Sequence, residues 1–126
     1  MHTAIHTASA PAALGPYAPA IAAGNTIYVS GQIPIDPATG VFAGDDIVTR
    51  TRQSLTNLKS ILAAAGADMS DVVKTTVYLA HMEDFAAMNQ VYAEFFSAPY
   101  PARAAFEVAC LPKNALVEIE CVAVKA

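Results

Sequence analysis

One arginine and three glutamates near the C-terminal end carry the chemistry that residue type and spacing suggest first. Arg103 and Glu107 share parity along one extended stretch, and Glu118 and Glu120 share parity along the last. An arginine on a strand offers a planar fork for bidentate capture of a carboxylate, and a glutamate opposite it is a base that can take a proton from water. Together those are the needs of a hydrolase acting on a small acid. The same spacing equally suits an Arg–Glu ion pair that neutralises itself, and alternation alone makes that the commoner outcome.

Other candidate groups are weaker. Ser30 lacks the Gly-x-Ser-x-Gly elbow of a serine hydrolase and has no histidine assignable as its base. His2, His6 and His81 fall at the terminus or in loops. Cys110 and Cys121 have no CxxC spacing and no adjacent histidine, so they read as two buried, reduced thiols and not as metal ligands. Lys74 is expected to pair with one of the glutamates. Tyr17, beside a turn, has the composition of a core tyrosine.

These residues need elements to hold them. A first strand is expected around 4–8, and strands over 18–23 and 26–30 join at Gly24-Asn25 as a hairpin. Pro34 to Gly40 is turn chemistry. Apolar positions at helical spacing predict a helix over 46–65, opened by Asp45-Asp46 and stopped by Gly66. Residues 72–79 alternate as a central strand, with Val73, Thr75, Val77 and Leu79 on one face and Lys74, Thr76 and Tyr78 on the other. A second helix runs over 83–96, its Phe85, Tyr92 and Phe95-Phe96 stripe assigned to core packing, and Pro99 and Pro101 end it. Strands over 102–108 and 116–125 complete an α+β order, ββ, α, β, α, ββ, which fits one mixed sheet with both helices on one face. The other face would then hold Arg103, Glu107, Glu118 and Glu120 beside Val122 and Val124, and needs cover.

At 126 residues and 55% hydrophobic, the chain is expected to form a single domain over 1–126. Only 14% of its residues are charged, against the usual ~25%, which points to surface buried by other subunits. A net charge of −4 and scattered Lys and Arg argue against a nucleic-acid partner. The N-terminal residues lack a basic region followed by an apolar run, and no apolar stretch is long enough to span a bilayer, so a cytoplasmic protein with no membrane partner is expected.

The segment Tyr100 to Lys113, closing on Val117-Glu118-Ile119-Glu120, resembles the C-terminal signature of the RidA/YjgF reactive-intermediate deaminase family. The likeness continues through Gly15-Pro16-Tyr17, Ser30-Gly31-Gln32-Ile33-Pro34, Thr51 to Leu55 with Asn57-Leu58, Val73 to Leu79, and Phe85 with Asn89, Tyr92 and Phe95-Phe96. It covers essentially the whole chain. The resemblance implies a chorismate-mutase-like fold, a homotrimer with its sites between adjacent subunits, and no metal or organic cofactor. The implied activity is hydrolysis of short-chain 2-imino and 2-enamino acids to 2-keto acids and ammonia. Arg103 would hold the substrate carboxylate and Glu118 activate water. Tyr17, Ser30, Gly31 and Asn89 would line the cleft, and Ala105 would offer a backbone N–H. Ala105 departs from the family pattern, in which many members carry cysteine. Alternatives are a non-enzymatic carboxylate-binding or regulatory trimer, or a relative acting on another imine. A ribonuclease conflicts with the acidic charge.

Overall fold

The computed structural model describes all residues, 1–126. Strands β1 (His2–Ile5), β2 (Ala20–Ala23) and β3 (Thr26–Gln32) precede helix α1 (Ile47–Ala64). Strand β4 (Val72–Leu79), helix α2 (Phe85–Phe95), β5 (Ala102–Glu107) and β6 (Val117–Val124) follow. They form one six-stranded sheet in the order β1-β2-β3-β6-β4-β5, with only the β4–β5 pair parallel. A parallel pair needs a crossover, and α2 supplies it. The expected α+β sheet with two helices on one face is therefore present. No helix is long and apolar enough to cross a membrane.

Helix α1 starts where Asp46 caps it by accepting a hydrogen bond from Thr49 N–H at 3.0 Å, and the chain leaves at Gly66 with φ +79°. Its Leu55, Leu58, Ile61 and Leu62 are fully buried on the sheet with Ile27, Val77, Leu79, Val117 and Ile119. Burying each such side chain contributes roughly 1.5–3 kcal/mol. Buried Asn57 extends the grip by donating to the Ile35 carbonyl at 2.9 Å, which ties the turn after β3 to the helix.

Several boundaries move. The first strand is His2–Ile5 and not 4–8, because its ladder with β2 runs from His2 opposite Ala23 to Ile5 opposite Ala20. Helix α2 is preceded by a 3₁₀ turn over Met82–Asp84, so the regular helix starts at Phe85. In β4 the register slips between Val72 and Lys74. Val72 takes the core position at 7% exposure, and Val73, expected on one face with Thr75, Val77 and Leu79, is 48% exposed while those three are fully buried.

The largest correction concerns faces. Arg103 lies level with Thr75, Ala105 with Val77 and Glu107 with Leu79 in the β4–β5 ladder. Thr75, Val77 and Leu79 are fully buried under the helices. Arg103 and Glu107 therefore stand on the helix side, and Glu107 Oε1 accepts the Met82 N–H at 2.7 Å ahead of α2. Glu118 and Glu120 lie level with Tyr78 and Thr76 on the opposite, open side. The strands are not neighbours either, since β4 separates β5 from β6. Parity along each strand was right, but the two strands are out of phase with one another.

Candidate active site

The expected site residues gather as two clusters on opposite sides of the sheet. The first is built on β3 and β6. The β3–β6 register shifts between Val29 and Gln32, and this irregularity brings Gly31 against the Glu118 carboxylate. A Cβ at position 31 would overlap a carboxylate oxygen and lie 2.9 Å from Cδ, so only glycine leaves that group its place. Ser30 is already engaged: its hydroxyl donates to Ala18 O at 2.7 Å and its N–H to Pro19 O at 2.9 Å. It staples the preceding loop beside Gly31 and is no nucleophile. Tyr17 stands in that loop, 48% exposed and outside the core, with its hydroxyl accepting the Leu14 N–H at 3.1 Å. Tyr17 and Gly31 line one small pocket together with Leu14 and Gln32.

Burial pushes the Glu118 carboxyl above its ordinary pKa, and the charge of Glu120 two residues on pushes it further. Arg103, the group that could have opposed this, lies across the sheet. Glu120 accepts a hydrogen bond from the Tyr78 hydroxyl. That bond, burial and the two glutamate charges raise Tyr78 to about 12, so Tyr78 remains a donor across the working pH range. Lys74 pairs with neither glutamate, and its Nζ donates to Thr76 Oγ1 at 3.2 Å.

The second cluster is built on β5 and α2. Arg103 Nη1 donates to Asn89 Oδ1 at 2.7 Å. The guanidinium carbon lies 4.7 Å from the Tyr92 ring centroid and 5.6 Å from that of Phe85. No carboxylate of this chain pairs with it; the one salt bridge joins Arg52 to Glu94. A cleft of about 360 Å³ opens beside it, lined by Asn89, Tyr92, Ala93, Tyr100, Pro101 and Arg103. Ala105 follows on the same side of β5, partly buried against the core. The bond from Val108 N–H to Leu79 O sets the phase of the ladder. Because β5 is the sheet's last strand, the N–H groups of Arg103 and Ala105 fall on its free edge.

Sequence inspection missed the aromatic support of Arg103. Phe85, Asn89 and Tyr92 recur at i, i+4 and i+7, one face of a helix, and that spacing was the available signal. It missed the Tyr78–Glu120 pair, which only the register discloses. One of the two cysteines differs from expectation. Both are free, Cys121 is buried and raised to about 12, chiefly by burial, but Cys110 is exposed.

An unpaired arginine framed by neutral groups and a half-buried glutamate of raised pKa define a small α+β protein equipped to hold an anionic ligand and to move a proton. The family model described as endoribonuclease L-PSP, the RidA/YjgF family, matches residues 7–125, and the chain belongs to that family. A RutC family protein of Pyrococcus horikoshii is 54% identical over 99% of both chains. A 2-iminobutanoate/2-iminopropanoate deaminase of Capra hircus is 51% identical over 96% of this chain and 88% of its own. Among solved structures, E. coli TdcF with bound serine is 42% identical with a TM-score of 0.94, covering 98% of this chain and 99% of its own.

Proposed function

We propose that the chain works in the cytoplasm as a homotrimer of single 1–126 domains in the chorismate-mutase-like arrangement, hydrolysing short-chain 2-imino acids to 2-keto acids and ammonia. The observation that carries this is the unpaired Arg103 guanidinium, a fork held ready for a carboxylate. The deaminase named among the relatives acts on substrates of that kind. Arg103 and Glu118 lie on opposite sides of their own sheet, so a site using both needs a second copy to bring its Glu118 cluster to the first copy's β5 edge. The open face supports such packing. Tyr28, Phe106 and Val124 stand on it 53%, 44% and 42% exposed.

In that composite site Arg103 binds the substrate carboxylate, and the free N–H of Ala105 gives it a second donor. Glu118 takes a proton from water as the water oxygen bonds to C2 and the C=N bond becomes a C–N single bond. A carboxyl with a raised pKa is matched to the return steps: it passes that proton to nitrogen, giving the carbinolamine, and then carries the proton of the new C2 hydroxyl to the same nitrogen, so that ammonia leaves as the C=O forms. Each turnover consumes one imine and one water and releases one keto acid and one ammonia. Imines hydrolyse unaided, so the rate enhancement asks only for orientation and for one carboxyl that relays both water protons to nitrogen in turn.

A binding or regulatory trimer is the second reading, favoured by the serine held in the E. coli relative, since an amino acid carries the same carboxylate. One experiment separates the two. 2-Aminoacrylate and 2-aminocrotonate are generated in situ by a dehydratase and their loss is followed with wild type, Arg103→Ala and Glu118→Gln. Acceleration that disappears in both variants supports the deaminase. A wild-type rate equal to buffer overturns it and leaves carboxylate binding.

A further inference from the structure

We propose that Tyr92 is a positioning residue for Arg103, and that it carries the cation on its ring face so that the guanidinium donors stay free for the substrate carboxylate. The inference rests on the role given to Arg103 above. Two arginines of this chain show the contrast. Arg52 is committed, its Nε and Nη2 donating to both oxygens of Glu94 at 2.9–3.4 Å. Arg103 has its charge offset from behind by an aromatic face, which uses none of its N–H groups, and spends one donor on neutral Asn89.

The ring itself is fixed. The Tyr92 hydroxyl sits 2.8 Å from Thr75 Oγ1, and both residues are buried. Phe96 braces the ring at 4.5 Å between centroids. Thr75 is also the residue beside Arg103 in the β4–β5 ladder. The contacts therefore close a loop: Arg103 backbone beside Thr75, Thr75 hydroxyl to Tyr92, Tyr92 ring to Arg103 guanidinium. All three lie in one chain, so the fork is oriented before any second copy arrives. Such preorganisation lowers the ordering cost of binding and is specific to a planar cation.

The test uses the assembled protein, with 2-oxobutanoate binding by calorimetry, 2-iminobutanoate kinetics and thermal melts as the readouts. Tyr92→Leu removes the ring and is expected to weaken 2-oxobutanoate binding and raise KM about tenfold, with kcat much less affected. Tyr92→Phe and Thr75→Val keep a ring but lose its anchor, and each is expected to raise KM by about two- to threefold. In an Arg103→Lys background, which has no planar fork to orient, Tyr92→Leu should add little. Wild-type binding by Tyr92→Leu, or a full loss added on top of Arg103→Lys, overturns the positioning role while leaving Arg103 as the carboxylate holder. If Tyr92→Leu fails to fold, the Phe and Val variants decide: a raised KM at constant kcat sustains the role, and wild-type constants end it. Wild-type binding by Arg103→Ala would overturn the parent assignment and this one together.

Discussion

The two clusters solve the problem of keeping a charged group available in different ways. Arg103 is held by rings and an amide reaching from α2, on the side of the sheet where packing is dense and geometry is set by the core. Glu118 has no such frame; it rests against the bare backbone of Gly31, under the electrostatic influence of Glu120, on a face the chain leaves open. A cation gains from an aromatic face without being neutralised, whereas a base gains from partial dehydration and a neighbouring like charge. Orientation is thus complete within one chain for the arginine, whereas under the proposed assembly a second copy completes it for the glutamate.

Mixing two dead variants tests that division most severely. Arg103→Ala and Glu118→Gln should each lose more than about a hundredfold in kcat/KM, and trimers reassembled from an equal mixture should regain about a quarter of wild-type activity, the share of interfaces with both groups intact. No recovery would place both groups in one subunit's site. Gly31→Ala comes next, with an expected loss of about a hundredfold in kcat from displacing the carboxylate and a smaller change in melting temperature. Its counterpart on the other cluster, the Tyr92 series, acts on KM, so the pair of profiles separates a displaced base from a loosened anchor.

The acid limb of the pH–rate profile sharpens the electrostatic side. As the proposed base, Glu118 must be ionised to accept a proton, so activity is expected to fall as pH drops through its raised pKa. Glu120→Gln removes the lesser of the two raising influences, and the limb should move to lower pH; a limb that stays put or moves up would exclude Glu120 as the neighbour that matters. The smallest effect is expected from Ser30→Ala. Losing the 2.7 Å bond to Ala18 should cost about 1 kcal/mol in denaturant unfolding, with kcat changed less than for Gly31→Ala.

Much of this was legible in the residues. Alternation located β4, β5 and β6, helical periodicity located α1 and α2, and the hairpin followed from Gly24-Asn25, where Gly24 does adopt φ +61°. What alternation does not contain is the phase between strands. Arg103 and Glu118 each have a face relative to their own strand, but only the ladder through β4 shows that those faces differ. The slip at Val73 is similar, since one extra residue in a ladder leaves no mark in a strand's own pattern. Tyr92 was legible as a buried aromatic and illegible as the support of a cation, because that depends on where β5 runs after α2.

β5 closes the sheet with nothing beyond it, and Arg103 and Ala105 sit on its outer ladder. A strand in that situation is a hazard, since any extended peptide can add to it. Under the proposed assembly the partner that completes the site also covers this margin. A subunit without its partners would then be idle and sticky at once, so the cell's selection for activity and its quality control against aggregation would act on the same surface.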